Sequence, residues 1–381
     1  MKRRVLVLGA SYGSLLATKL LMAGHDATLV CTRGTAELIE REGTRVLFPV
    51  KGVEGLVEID SRALPGRLRA RTPEAADPAG YDLVVLGMQE VQYGSDGVRE
   101  LMARIAAARV PCFAIMNMPP LPYLARIDGL ESDSLAHCYT DPSVWDGFDP
   151  SLVTLASPDP QAFRPADRPK NVLQVGLPTN FKAARFELDE HTALLQQLAC
   201  DIDAVRHRHL GADIEIPVKL KVHESVFVPL AKWPMLIAGN YRCVRADGMI
   251  PIRDAVHGDI AESRGIYEWV VGLCSRLGAD PADLVPFEKY AAAAAGLAKP
   301  SSAARALASG AEHIERVDSL VDRIAAGLGE GSTTLRRIVD RVDARLRVNR
   351  ASANADQLAL IGNLLATSRA SESAGWPRVS A

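Results

Sequence analysis

Residues 4–34 read RVLVLGASYGSLLATKLLMAGHDATLVCTRG, and the order of apolar runs and glycines in them decides the fold. Arg4–Leu8 is a short apolar run that ends in glycine, as a strand buried on both faces of a parallel sheet does. Leu15–Ala23 places Leu16, Leu20 and Leu21 on a recurring helical face, Gly24-His25-Asp26 interrupts it, and Ala27–Cys31 reads as the next strand. Outward from this unit the alternation continues. Thr35–Glu42 is a short helix stopped by Gly43, Asp82–Leu86 a strand, Val98–Ala107 a helix and Cys112–Met116 a strand. Strand–helix–strand alternation implies parallel pairing with right-handed crossovers, hence an α/β, Rossmann-like domain.

Residues 125–185 are richer in Pro, Asp, Ser and Gly, with strand-like pieces at Leu152–Ala156 and Val172–Val175. Beyond about 190, apolar spacing becomes helical over His191–Val205, Pro217–Asn240, Asp254–Leu277, Pro281–Leu297, Ser302–Leu320, Thr333–Val348 and Ala355–Leu365. The last stretch, Ser368–Ala381, is expected to be disordered. The organisation expected is a Rossmann-like domain over 1–188 and a C-terminal all-helical domain over 189–370.

Composition narrows the function. The 381 residues carry 44 Lys+Arg against 46 Asp+Glu, a net charge of -2, and 5% aromatics. Such a balance argues against a surface for nucleic acid or anionic lipid. No apolar run reaches membrane-spanning length, and the run after MKRR is too short for a secretory core. Six cysteines at 31, 112, 138, 200, 243 and 274 form no CxxC, which points to reducing cytoplasm.

Gly9-Ala10-Ser11-Tyr12-Gly13 lies between the first strand and first helix, the context of a dinucleotide turn. Glycines there let the backbone approach a diphosphate, and the helix start supplies N–H groups. The spacing is GxxxG, with Ser11 and Ser14 where further glycines would fall. A plain tight turn would use the same residues. The second strand ends in Cys31-Thr32-Arg33 without an acid, so Arg33 suits a ribose 2′-phosphate and NADP(H) is favoured over NAD(H).

The chain resembles the ketopantoate reductase family, in its opening (glycine turn, helix, AGH, strand, arginine) and in later segments. Ile115-Met116-Asn117 resembles the family's asparagine closing a strand, and Lys219-Leu220-Lys221-Val222-His223 with Val228-Pro229-Leu230 its lysine helix. Pro300-Ser301-Ser302 and Glu312–Asp318 resemble the serine and glutamate segment near substrate. Gly87-Met88-Gln89 replaces a lysine common after the fourth strand, and His223 stands for an asparagine. The resemblance implies a cytoplasmic NADPH-dependent reductase of a 2-oxo acid, working with no metal, nucleic acid or membrane partner and forming a homodimer. It assigns Lys219 as general acid, with Asn117 and Glu315 also catalytic and Glu312 the rival glutamate. His223, Ser301 and Ser302 would bind substrate; Gly9, Ala10, Ser11, Tyr12, Gly13, Arg33, Gln89 and Asn117 would bind cofactor.

Hydride reduction of a carbonyl builds charge on oxygen, so a proton donor and hydrogen-bond donors must converge there. On the helix expected over Pro217–Asn240, His223 would lie one turn from Lys219 on the same face. Ser302 would also serve as an N-cap. His207-Arg208-His209 reads as a solvated helix end, and Arg337, Arg341 and Arg345 as the outer face of an amphipathic helix. Lys232-Trp233 fits helical packing or a pocket wall equally. An imine-type dehydrogenase reducing C=N, or a non-catalytic NADP-binding sensor, would use the same features.

Overall fold

The computed structural model describes the backbone of residues 1–373 and side chains through residue 355. Its central sheet has eight strands: β1 (Arg4–Leu8), β2 (Asp26–Val30), β3 (Leu68–Arg71), β4 (Leu83–Leu86), β5 (Cys112–Ile115), β6 (Val153–Ser157), β7 (Phe181–Ala184) and β8 (Leu220–His223). They lie in the order β8-β7-β6-β5-β4-β1-β2-β3. The six strands β1–β6 are parallel to one another, with Val7 opposite Leu29 on one side and Val85 on the other. Chain order reverses between β1 and β4, and ligands of open α/β sheets bind at that switch point. β7 enters antiparallel to β6, and β8 pairs parallel to β7.

The apolar run Val5–Leu8 is fully buried because each face of the sheet is covered. Val5 and Val7 meet α1 (Tyr12–Met22) through Leu15 and Leu20, while Leu6 and Leu8 share a core with Leu101 of α3 (Val98–Ala108). α2 (Arg33–Glu42) covers the β3 edge and stops at Gly43, whose φ of 70° suits a residue without Cβ. A second sheet, in the order Leu56–Asp60, Arg45–Pro49, Val172–Leu177, Gln161–Phe163, completes the α1 side. Beside α1 lies α4 (Asp189–Ala204).

The helical half shares one continuous core with the α3 face of the sheet, running from Leu86 and Met118 to Trp233, Val270 and Leu320. Its first element starts at Lys232, passes through a π-helical turn at Leu236–Asn240 and ends in a 3₁₀ turn at Tyr241–Cys243. Helices Ile252–His257, Ile260–Arg276, Phe287–Ala294, Ser302–Ala308, Val317–Gly327 and Thr333–Ser373 come after it.

The structure corrects several expectations. Pro217–Asn240 is not one helix: Val218 sits at φ 71°, which breaks it, and Leu220–His223 is the edge strand β8. The α/β layer therefore runs to His223, past the boundary expected at 188/189, and α4 belongs with the sheet. His207–His209 forms a short hairpin with Ala212–Ile214 instead of a helix end. The helices expected at Thr333–Val348 and Ala355–Leu365 are one, which also takes in residues 368–373 of the stretch expected to be disordered. Residues 374–381 lie outside the described residues. Among the described residues no helix is long and apolar enough to cross a membrane.

Candidate active site

The glycine turn joins β1 to α1 at the switch point. Gly9 has φ 96°, and a Cβ there would lie 2.8 Å from Met88 Cγ and 2.9 Å from the Gly87 carbonyl oxygen. Gly13 serves packing instead. A Cβ on it would sit 2.7 Å from Val7 Cγ1, so its bareness lets α1 lie close on β1. Third in the turn, Ser14 is buried and donates its hydroxyl to the Ala10 carbonyl at 2.7 Å. A serine whose donor is already satisfied inside the turn can stand where a further glycine was expected.

Beside this turn lies a cavity of about 460 Å³, bounded by Gly9, Ala10 and Ser11, by Arg33 after β2, and by Gly87 and Met88 after β4. Gln92 contributes to its wall, whereas the expected Gln89 is outside it and has its N–H bonded to the Gln92 Oε1 at 3.1 Å. Tyr12 turns away from the cavity and donates its hydroxyl to the Pro160 carbonyl at 2.7 Å. Arg164, from the 125–185 segment, also lines the cavity, and nothing in the sequence marked it. The bare turn, the helix start and the arginines Arg33 and Arg164 fit the diphosphate and ribose portion of a nicotinamide dinucleotide.

Asn117 and Glu315 meet although 198 residues separate them: Asn117 Nδ2 donates to Glu315 Oε2 at 3.2 Å. Asn117 lies just beyond β5, at the carboxyl edge of the sheet. Glu315 precedes the helix Val317–Gly327, where the Tyr241 hydroxyl donates to its carbonyl at 2.6 Å and accepts the Val317 N–H at 3.0 Å. Arg316 grips the buried Asp318 through Nε and Nη2 and so fixes this corner. Glu312, the rival, is exposed. Glu90 donates its backbone N–H to Glu315 Oε1 at 3.3 Å, while its own carboxylate takes the N–H and hydroxyl of Thr140. Part of the Glu315 side chain reaches solvent, but its carboxyl end is enclosed. Burial, reinforced by Glu90, pushes that carboxyl up to about 7. Asn117 Oδ1 is buried without a hydrogen-bond partner, an unused acceptor beside the Glu315 carboxyl.

Lys219 is elsewhere. It immediately precedes the edge strand β8, with Nζ 2.5 Å from Asp203 and 2.7 Å from Glu215. Hydrogen bonds to those carboxylates hold its ammonium above the ordinary lysine value. His223 closes the same strand, so four residues of extended chain, about 13 Å, replace the single helical turn expected between them. Burial and then Lys182 lower the His223 imidazole, and its Nε2 is buried without a partner. Neither joins the Asn117–Glu315 pair. Ser301 is buried, donates to the Asn240 carbonyl at 2.7 Å and accepts the Ala304 N–H, so Ser301 is the N-cap and Ser302 is the exposed first helical residue.

A lysine that the sequence left as packing or pocket wall pairs with the segment after β6. Lys232 places Nζ 3.0 Å from Asp159 Oδ1, and Lys182 Nζ is 3.3 Å from Asp159 Oδ2. Burial raises the Asp159 carboxyl, but Lys232 and Lys182 together leave it below the ordinary value. The Tyr12 hydroxyl, pushed up to about 12 mainly by burial, also feels the Asp159 and Glu315 carboxylates. Tyr12, bonded to the residue after Asp159, is near enough to Glu315 as well for both carboxylates to act on its hydroxyl. The spacing signal for Lys232 was a lysine directly after Pro229-Leu230-Ala231 at a true helix start.

No protein-family model matches the chain, and no curated protein matches it. Solved structures do. A ketopantoate reductase from Ralstonia eutropha JMP134 has TM-score 0.60 at 15% identity, covering 91% of this chain and 99% of that one. D-mandelate dehydrogenase with NADH and anilino(oxo)acetate has TM-score 0.60 at 11% identity, covering 91% and 99%. A dimeric ketopantoate reductase from Staphylococcus aureus has TM-score 0.56 at 10% identity, covering 91% and 99%. Over nearly its whole length the chain therefore has the fold seen in ketopantoate reductases and D-mandelate dehydrogenase.

Proposed function

We propose that this chain is an NADPH-dependent reductase that converts a 2-oxo acid to the 2-hydroxy acid, a divergent relative of the ketopantoate reductases. The observation that carries the reading is that two polar pairs, Lys232–Asp159 and Asn117–Glu315, both have a carboxylate near Tyr12 of the glycine turn. The reduced nicotinamide supplies the hydride when bound. The residues do the rest. Lys232 is the proton donor, and its ammonium offsets charge developing on the substrate oxygen. Asp159 orients that ammonium. Asn117, with its open acceptor, and Glu315 hold polar groups of substrate or cofactor. Arg33 takes the 2′-phosphate. Lys219, committed to Asp203 and Glu215, becomes a structural residue in this reading. A homodimer is part of the same proposal, tested by light scattering.

The test is NADPH oxidation followed by absorbance over a panel of 2-oxo acids, alone and with amines. Lys232→Ala should lower kcat by about 10²-fold or more with NADPH binding retained, whereas Lys219→Ala should leave kcat near wild type. The opposite pattern would return the acid to Lys219. Turnover only with an amine present would favour C=N reduction, and tight NADPH binding without any turnover would favour a sensor.

A further inference from the structure

Resting on the reading that the cavity takes a nicotinamide dinucleotide, we propose that Arg164 is a cofactor-binding residue that grips the diphosphate. The cavity wall offers two basic side chains, Arg33 and Arg164, against the acidic Glu74 and Asp96. Arg33 stands at the end of β2, on the ribose side. The diphosphate, at the glycine turn, would otherwise meet only backbone N–H groups, because Gly87-Met88-Gln89 brings no cation from the end of β4. Arg164 reaches that turn: its Nη2 donates to the Ala10 carbonyl at 3.1 Å. Among the described residues this is its one hydrogen bond, so the other donors of the guanidinium fork are free for phosphate oxygens.

Its position is fixed by the strap that carries it. After β6 the chain crosses Pro158-Asp159-Pro160 before Gln161–Phe163 joins the second sheet. Asp159 is tied to Lys182 and Lys232, and the Pro160 carbonyl accepts from Tyr12 at the first residue of α1. The strap is thus anchored on the strand side, the helical half and the glycine turn, and Arg164 lies just beyond these anchors. One short segment connects the diphosphate cation to the carboxylate that orients Lys232.

The experiment is fluorescence titration of the full chain with NADPH, NADH and adenosine 2′-monophosphate, which carries no 5′-phosphate. Arg164→Ala should raise Kd for NADPH and for NADH by about tenfold or more each, and leave adenosine 2′-monophosphate unchanged. Arg164→Lys should recover part of the loss, and Arg168→Ala, an exposed neighbour, should bind as wild type. Unchanged NADPH and NADH affinities in Arg164→Ala would overturn the proposal. So would a loss confined to NADPH and adenosine 2′-monophosphate, which would move Arg164 to the 2′-phosphate. If the wild-type chain bound none of the three, the functional reading itself would fail. Thermal melts of each variant separate affinity changes from misfolding.

Discussion

Glu315→Gln should stabilise the protein above pH 7 and leave it nearly unchanged at about pH 4.5. Burial first, then the Glu90 carboxylate, favour the neutral acid, while the Asn117 amide and the Glu90 and Met118 N–H groups favour the anion. The balance stands at about 7 against an ordinary 4.5. At about 1.4 kcal/mol per pH unit, ionising this carboxyl in the folded protein costs about 3 kcal/mol. The folded state keeps its proton to higher pH than the unfolded chain. Stability therefore falls as pH rises from 4.5 to 7, and the full penalty applies above 7. Glutamine retains the neutral shape, and its amide can be matched by turning over the Asn117 amide, whose Oδ1 otherwise lacks a partner. Urea unfolding of both proteins between about pH 5 and 8 reads the effect directly. The variant's advantage should grow across that range to about 3 kcal/mol. Two curves that stay parallel would mean that Glu315 is ionised in the folded state at every pH tested, and the enclosed-carboxyl reasoning would be wrong.

Other outcomes rest on the same structure. Burial lowers the Lys19 ammonium to about 8, although it donates to the Ile216 carbonyl at 2.6 Å. Stability should rise between about pH 8 and 10.5, as the folded state sheds a proton that the unfolded chain keeps; in thermal melts, Lys19→Met should remove that rise. Gly13→Val forces side-chain atoms against Val7 and should cost about 1–3 kcal/mol in denaturant unfolding; an unchanged midpoint would show that α1 can move off the sheet. Arg33→Ala should weaken NADPH far more than NADH in fluorescence titration, and equal losses would discard the 2′-phosphate assignment.

The elements within residues 4–42 and 82–116 were legible because their signals are local, whereas the strands Arg45–Pro49, Leu56–Asp60 and Leu68–Arg71 were not expected. A buried run, a glycine turn and an apolar helix face lie within about 30 residues of one another, and β1, α1, β2 and α2 formed within a few residues of expectation. The stretch 217–240 was not. Its apolar spacing satisfies a helix, but β8 is decided by pairing with Phe181–Ala184, a partner that local periodicity cannot reveal. The family resemblance, laid on that expected helix, put Lys219 and His223 in the expected site and left Lys232 outside it. Asn117 with Glu315 came from family resemblance, since no spacing rule joins residues 198 apart. Asp159 and Arg164 had no signal, because a Pro-Asp-Pro strap reads as loop and its value lies in where it crosses.

The π-helical turn at Leu236–Asn240 has a consequence for rotation about the helix axis. A wide turn holds one residue more than an α-helical turn, so the residues beyond it are out of phase by about 100°. Lys232 lies before it and Tyr241, which holds the Glu315 corner, lies after it. Deleting one residue within 236–240 would relax the turn to regular helix and swing Tyr241 off the Glu315 carbonyl while Lys232 kept its place against Asp159. The extra residue works as an angular offset between the two halves of the cleft.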